Sequence, residues 1–181
     1  DVIVTGGSEA LLTPGNLAAW DALQALATTD AAHPERSCKP FSLNRSGLVL
    51  GEGAAVLVLE TEESAAKRQA RVLARVTGYG NTGDASNISR PDASGQVRAM
   101  RIALADAGLT PDAIGYINAH GTATPLGDTV ETSAIKEVFG AHAPHLPVSS
   151  TKALHGHLLG AAGALETLAC VMTLQRGVLP P

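Results

Sequence analysis

Two segments of this chain share one order of events, and a sheet with helices laid across it accommodates both. In the first, the apolar run Tyr116-Ile117-Asn118 leads into His120-Gly121-Thr122-Ala123-Thr124-Pro125-Leu126-Gly127-Asp128. A helical pattern follows over residues 128–139, with Val130, Ala134 and Val138 on one stripe and Gly140 as its stop. In the second, Pro147-Val148-Ser149-Ser150 leads into Lys152 and Gly156-His157, which open an apolar helix running to Gln175 and stopped by Gly177. Strand, loop and helix in that order build βαβ units, whose ligands bind at the carboxyl ends of the strands. Both histidine motifs occupy such ends.

The rest of the chain is compatible with the same α/β class. Residues 2–5, a β-branched run ended by Gly6-Gly7, predict a buried strand. Residues 14–26 predict a helix with Pro14 in its first turn and Leu17, Trp20 and Leu23 at helical spacing, and residues 28–42 an irregular connection. Residues 48–60 predict two strands or one strand broken at Gly51-Glu52-Gly53. A short charged helix follows over 61–69, a strand over 72–79, and a long polar loop over 80–95. Loops of that length in compact domains are usually functional, so residues 84–91 are a candidate substrate gate. Residues 97–107 predict a helix stopped by Gly108, and Thr110-Pro111-Asp112 a short turn into the strand before His120.

Composition excludes several classes. With 45% hydrophobic and 17% charged residues the chain is globular rather than disordered, and with 3% aromatics its interior must be filled by Ala, Val, Leu and Ile in small-residue contacts. A net charge of −4 offers no bulk attraction for nucleic acid. Seven of the 13 basic residues (Arg36, Lys39, Arg45, Lys67, Arg68, Arg71 and Arg75) share one 40-residue stretch, a solvated face in preference to a site for an acidic partner. The longest apolar stretch, residues 158–174, is short for a membrane span and contains Glu166, so a buried helix is expected. Cys38 and Cys170 suggest no disulfide framework, no signal peptide is visible, and a cytoplasmic setting is expected. The chain opens at Asp1 inside an apolar strand pattern and closes on Pro180-Pro181, which reads as a piece of something longer whose apolar strands would be left exposed.

The histidine loops carry more chemistry than a plain connection needs. A histidine at a helix start sits in the positive end of the macrodipole, so His157 should have a lowered pKa and stay neutral, able to polarise a carbonyl by donating a hydrogen bond. Gly156 lets the backbone approach another group closely. His155 and His157, two residues apart, would make a metal pair only with a third ligand, and no metal site is expected. His33, His142 and His145 are read as structural.

These residues resemble the β-ketoacyl-acyl carrier protein synthases of the thiolase-like fold, especially the elongating type II kind, over essentially the whole chain. Besides the two histidine motifs, the resemblance rests on Gly6-Gly7-Ser8-Glu9-Ala10, Pro40-Phe41, Arg45-Ser46-Gly47, Gly51-Glu52-Gly53-Ala54-Ala55 and Val76-Thr77-Gly78-Tyr79-Gly80. It implies α-β-α-β-α layering, present in part, with residues 1–70 ending the N-terminal half and residues 71–181 forming most of the C-terminal half without its final gate segment. It implies decarboxylative Claisen condensation of an acyl thioester with malonyl-acyl carrier protein, in fatty acid or polyketide elongation. His120 and His157 match the two catalytic histidines, Lys152 the ordering lysine and Glu166 its neutralising partner. Thr122 and Thr124 match hydroxyls that bind the phosphopantetheine arm. No free cofactor is implied, although Asn118 and Glu166 match positions that hold a monovalent cation in some members. The implied partners are an acyl carrier protein, its malonyl and acyl thioesters, and a second copy of the protein in a homodimer.

The family's nucleophilic cysteine stands in an Asp-Thr-Ala-Cys-Ser-Ser run that this sequence does not contain, and neither Cys38 nor Cys170 replaces it. The chain alone is therefore expected not to elongate acyl chains. Ser46 stands where acidic residues are common, Gln24 where arginine is, and His155 where threonine is frequent. The rival reading is a non-catalytic partner of the chain-length-factor kind, against which His120, Lys152 and His157 together argue. A thiolase acting on ketoacyl-CoA is more distant.

Overall fold

The computed structural model describes residues 1–87 and 90–181. Two two-stranded sheets organise it, one formed by the first third of the chain and one beneath the histidine loops.

Strand β1 (Val2–Glu9) pairs antiparallel with β2 (Gly53–Glu60), Val2 opposite Glu60 and Glu9 opposite Gly53. Gly6-Gly7 does not end β1 as expected. A Cβ on Gly7 would stand 2.3 Å from the Gly160 carbonyl oxygen, so that glycine admits the turn at 159–161 against the strand instead of stopping it. The strand is also not buried: Val2, Ile3, Val4, Val56 and Val58 are all exposed. Alternate residues point to opposite faces, so exposure at 2, 3 and 4 means that neither face of this end of the sheet is covered within the chain.

Helix α1 (Pro14–Ala22) is capped by the Thr13 hydroxyl, which accepts from the Asn16 N–H. It is shorter than expected because Gln24 turns to a φ of 52° and the chain leaves to bridge Leu26 with Leu48. Leu11, Leu48 and Leu50 form a small core there with Trp20, Leu26 and Leu159 packed on it. Helix α2 (Glu62–Lys67) is as short and charged as its sequence suggests. Residues 72–79, expected as a strand, join no ladder among the described residues. They lie instead along α3 (Ala93–Ala107), where a Cβ on Gly78 or Gly80 would meet the Ala103 or Ala99 carbonyl at 2.3 or 2.0 Å, and where the Tyr79 N–H donates to Asp106.

The candidate gate at 84–91 includes residues 88 and 89, which lie outside the described residues. Its start is tied to α3: the Thr82 hydroxyl donates to the Gly95 carbonyl, and the Asp84 carboxylate accepts from the Asp92 N–H.

Strand β3 (Ile117–Asn118) pairs in parallel with β4 (Val148–Ser149). Over them lies α4 (Pro125–Phe139), which starts a turn earlier than expected because Pro125 fits its first position. Ala134, Ile135, Val138 and Phe139 of α4 close the largest core with Val97 and Leu146, and Ile117 and Val148 pack against it. The expected stripe is thus right at 134 and 138, while Val130 is only half-buried.

The second histidine segment departs most from expectation. Helix α5 (Lys152–His155) ends at Gly156, a 3-10 turn covers 159–161, and the long helix α6 begins only at Ala162 and runs to Arg176. His157 therefore lies between helices rather than opening one. Nor is α6 a buried helix: of its residues Ala162 is buried, whereas Leu168, Met172 and Leu174 are exposed. No helix among the described residues is long and apolar enough to cross a membrane.

Candidate functional site at the two histidine loops

His120 follows the end of β3, where the Ala119 N–H donates to the Ser149 carbonyl at 2.8 Å. The loop after it is held by two carboxylates from one face of α4. Glu131 accepts from the His120 N–H at 2.7 Å and the Gly121 N–H at 2.8 Å, one oxygen each. Asp128, fully buried, accepts from the Ala123 N–H at 3.1 Å and the Phe41 N–H at 2.7 Å. Residues three apart share a helix face, so both acids are delivered to the loop together. The grip is tight enough to hold Gly121 and Ala123 at φ of 34° and 66°. Arg45 closes the assembly, with Nε 3.6 Å from Asp128 and its other nitrogens donating to the Ser42 and Pro125 carbonyls and the Thr129 hydroxyl. Glu131 lies outside the motifs that mark the site in the sequence. Its signal there is faint: an acid three residues after the last acid of the histidine motif, at the spacing that puts both on one side of a helix.

His157 is held by backbone. Its N–H donates to the Val49 carbonyl at 2.7 Å and its carbonyl accepts from Gly51 N–H at 3.0 Å, a parallel bridge to Leu50. Gly156, at φ 73°, makes this possible, since a Cβ there would stand 2.9 Å from the Val49 oxygen. The ring is oriented by its own turn: the Leu159 N–H donates to Nδ1 at 3.2 Å, which leaves the proton of the neutral ring on Nε2.

The two rings meet edge to face, with centroids 5.4 Å apart and planes at 87°. Lys152 beneath them is completely buried and paired with the Glu166 carboxylate, whose own side chain is largely buried. Burial first, and then the Lys152 charge, lowers the pKa of both His120 and His157 to about 4. His120 nevertheless keeps exposed surface; an imidazole in a concave site can be surrounded by protein while one edge stays reachable. The lowered pKa of His157 was expected, but not for this reason. Standing five residues before α6, it owes the shift to burial and a neighbouring ammonium rather than to a helix dipole. Burial conversely raises the pKa of Glu131, opposed by the two N–H donors it accepts from.

Thr122 is buried and its hydroxyl lies 3.0 Å from that of Thr124, the residue preceding α4. Asn118 donates to the backbone carbonyl of Glu166 at 3.4 Å and accepts from the Thr151 N–H at 3.4 Å. Among the described residues no three His, Cys, Asp or Glu side chains are grouped to hold a metal ion. Both thiols are pushed up in pKa by burial, which keeps Cys38 and Cys170 protonated and poor nucleophiles. The basic stretch is largely neutralised from within, with Lys39 paired to Asp30, Lys67 to Glu63, Arg68 to Glu60 and Arg75 to Glu62. His142 bonds the Ile114 carbonyl and His33 pairs with Glu35, both away from the site.

Known proteins resemble the chain in sequence and in fold. Residues 1–65 match the model of the beta-ketoacyl synthase N-terminal domain and residues 73–181 that of the C-terminal domain. The chain is 54% identical over its whole length to nodulation protein E of Rhizobium leguminosarum bv. trifolii, covering 43% of that protein. It is 46% identical to 3-oxoacyl-[acyl-carrier-protein] synthase 2 of Staphylococcus aureus, covering 45% of it. Among solved structures it superimposes over its full length, with a TM-score of 0.96 and 36% identity, on 45% of a chain from a type II PKS acyl-carrier protein in complex with its ketosynthase bound to the hexaketide. A beta-ketoacyl synthase from Burkholderia phymatum matches over 97% of the chain and 42% of its own, with a TM-score of 0.89 and 41% identity. The chain thus spans under half the length of these relatives, and its mixed helices and strands are part of the thiolase-like fold that they share. By sequence and by fold, the chain belongs to the β-ketoacyl synthase family.

Proposed function

We propose that this chain supplies the decarboxylation and condensation half of a β-ketoacyl synthase site, which lengthens an acyl chain with malonyl-acyl carrier protein in fatty acid or polyketide synthesis. The observation that carries it is the meeting of two neutral histidines over a buried lysine. Burial, reinforced by the Lys152 charge, keeps both rings neutral at physiological pH, and His157 then presents an Nε2–H donor. As the malonyl carboxylate leaves as carbon dioxide, its C–C bond breaks and the electron pair becomes a thioester enolate. Donors fixed beforehand stabilise the developing oxyanion at little reorganisation cost. The enolate carbon then attacks the acyl thioester carbonyl, a C–C bond forms, and the thiolate that held the acyl group is released. That thiol is assigned to a cysteine outside this chain, in keeping with the protonated state of Cys38 and Cys170.

In this reading His120 and His157 are the catalytic donors, Lys152 adds to the burial that keeps them neutral, and Glu166 balances the Lys152 charge. Thr122 and Thr124 hydrogen-bond the phosphopantetheine arm of the carrier protein. Residues 1–70 end the N-terminal half and 71–181 form most of the C-terminal half, in a homodimer working in the cytoplasm. A monovalent cation beside Asn118 and Glu166 belongs to the same reading, since the Glu166 carbonyl that accepts from the Asn118 amide keeps a second lone pair. A chain-length-factor role is the rival, and the joint presence of His120, Lys152 and His157 argues against it.

The test is carbon dioxide release from malonyl-acyl carrier protein by the full-length protein. His120→Ala and His157→Ala should each lower it at least about 100-fold, as removal of an oxyanion donor does. Unchanged release in both variants would sink the assignment, and no release from the wild type would favour the rival.

A further inference from the structure

We propose that His155 is a positioning residue for His157, acting through the peptide bond between Gly156 and His157. The inference rests on the reading above only for its effect on catalysis.

That peptide unit is gripped at both ends. Its N–H donates to the Val49 carbonyl at 2.7 Å, and its carbonyl oxygen, on Gly156, lies 2.7 Å from His155 Nδ1. A carbonyl oxygen only accepts, so Nδ1 carries the proton of the neutral ring. Nε2 is then an acceptor, and it lies 3.1 Å from the hydroxyl of Thr151, which is buried and itself within 3.4 Å of Asn118 Nδ2. His155 and His157 are consequently opposite tautomers two residues apart: the first has its proton on Nδ1, spent on holding the backbone, and the second on Nε2, free to face a substrate.

The clamp answers a local need. The carbonyls at the end of a helix lack helical partners, and Gly156 follows directly on α5. Glycine is chosen there because φ is 73° and a side chain would meet the Val49 and Leu50 carbonyls, yet glycine is also the residue least able to hold a conformation by itself. Freed of His155, the peptide opens from the Val49 carbonyl more often and carries the His157 ring with it. Displacements of about 1 Å in a positioned group cost up to about 100-fold in rate.

Three substitutions in the full-length protein separate the two ring contacts. Asparagine places a donor near the Nδ1 position, glutamine a polar group near the Nε2 position, and leucine neither. His155→Gln and His155→Leu should speed hydrogen exchange of the His157 backbone N–H by about tenfold or more and lower kcat by about tenfold, with KM within about twofold of wild type. His155→Asn should keep both near the wild-type values, and exchange within α6 should not change in any variant. The proposal is overturned if His157 exchange is the same in all three variants, or if glutamine preserves it and asparagine does not. If leucine unfolds the protein, the asparagine and glutamine pair still decides. Should the wild-type protein prove inactive, exchange at His157 decides the positioning by itself, and only the catalytic reading falls.

Discussion

His120 and His157 meet ring to ring, yet the loops that deliver them are pinned by different bonds. The His120 loop hangs from two carboxylates, Glu131 and Asp128, that a single helix presents to four backbone N–H groups. The His157 loop is stitched by its own backbone to residues 49–51, with a glycine to let the chains approach. The first arrangement depends on charge inside a buried site and is therefore sensitive to protonation and to the loss of a carboxylate. The second depends on conformation, and a single methyl group is enough to disturb it. What the two share is Lys152, whose charge reaches both rings.

The shared element should give the largest effect. Glu166→Gln leaves the Lys152 ammonium buried without its counter-ion and should cost about 3–5 kcal/mol of stability in denaturant unfolding, slackening both loops together. Lys152→Met with Glu166→Leu should cost less than that single change, because no uncompensated charge remains; a double variant as unstable as Glu166→Gln would contradict this account. Next comes the conformational loop. Gly156→Ala should cost about 1–3 kcal/mol, from strain at a positive φ and contact with the Val49 carbonyl, and should loosen His157 while leaving the exchange of the His120 and Gly121 N–H groups unchanged. Glu131→Gln should do the reverse at about 1–2 kcal/mol, since the amide oxygen can accept from one of the two N–H groups but its NH2 faces the other.

A separate effect is on pH dependence. With a folded pKa of about 4 against an ordinary 6.5, each histidine binds fewer protons folded than unfolded. The stability this gives is complete above 6.5 and is lost as pH falls towards about 4. Glu131 runs the other way: its raised pKa adds stability on the acid side that disappears as pH climbs through its folded value. His157→Gln should therefore flatten the fall in unfolding free energy between pH 6.5 and 4, measured by urea titration at each pH. An unchanged slope would mean that His157 is not held neutral.

The sequence was most informative where function concentrates residue types. His120, His157, Lys152 and Glu166 could be named without coordinates, and the structure brings them together. Glu131 was missed because an acid on a predicted helix looks like solvated surface until its backbone partners are known. Strand 72–79 was overestimated, since β-branched residues record a preference for extended backbone but not whether a neighbouring strand is present; here the segment lies along α3 through Gly78 and Gly80 instead. Periodicity predicts one helix over the apolar run from Gly156 because it does not register the break that Gly156 and the turn at 159–161 impose.

The alternation of strand and helix over residues 116–139 and the glycine stops at 108, 140 and 177 follow from local spacing and could be read in the sequence, while the candidate site residues were legible through the motifs they share with the family. Tertiary structure decided the rest: which carboxylate faces which N–H, why both histidines stay neutral, and which apolar strands are covered. Those outcomes depend on contacts between residues distant in the chain, such as Phe41 with Asp128 or Val49 with His157, and on a desolvation that only packing creates.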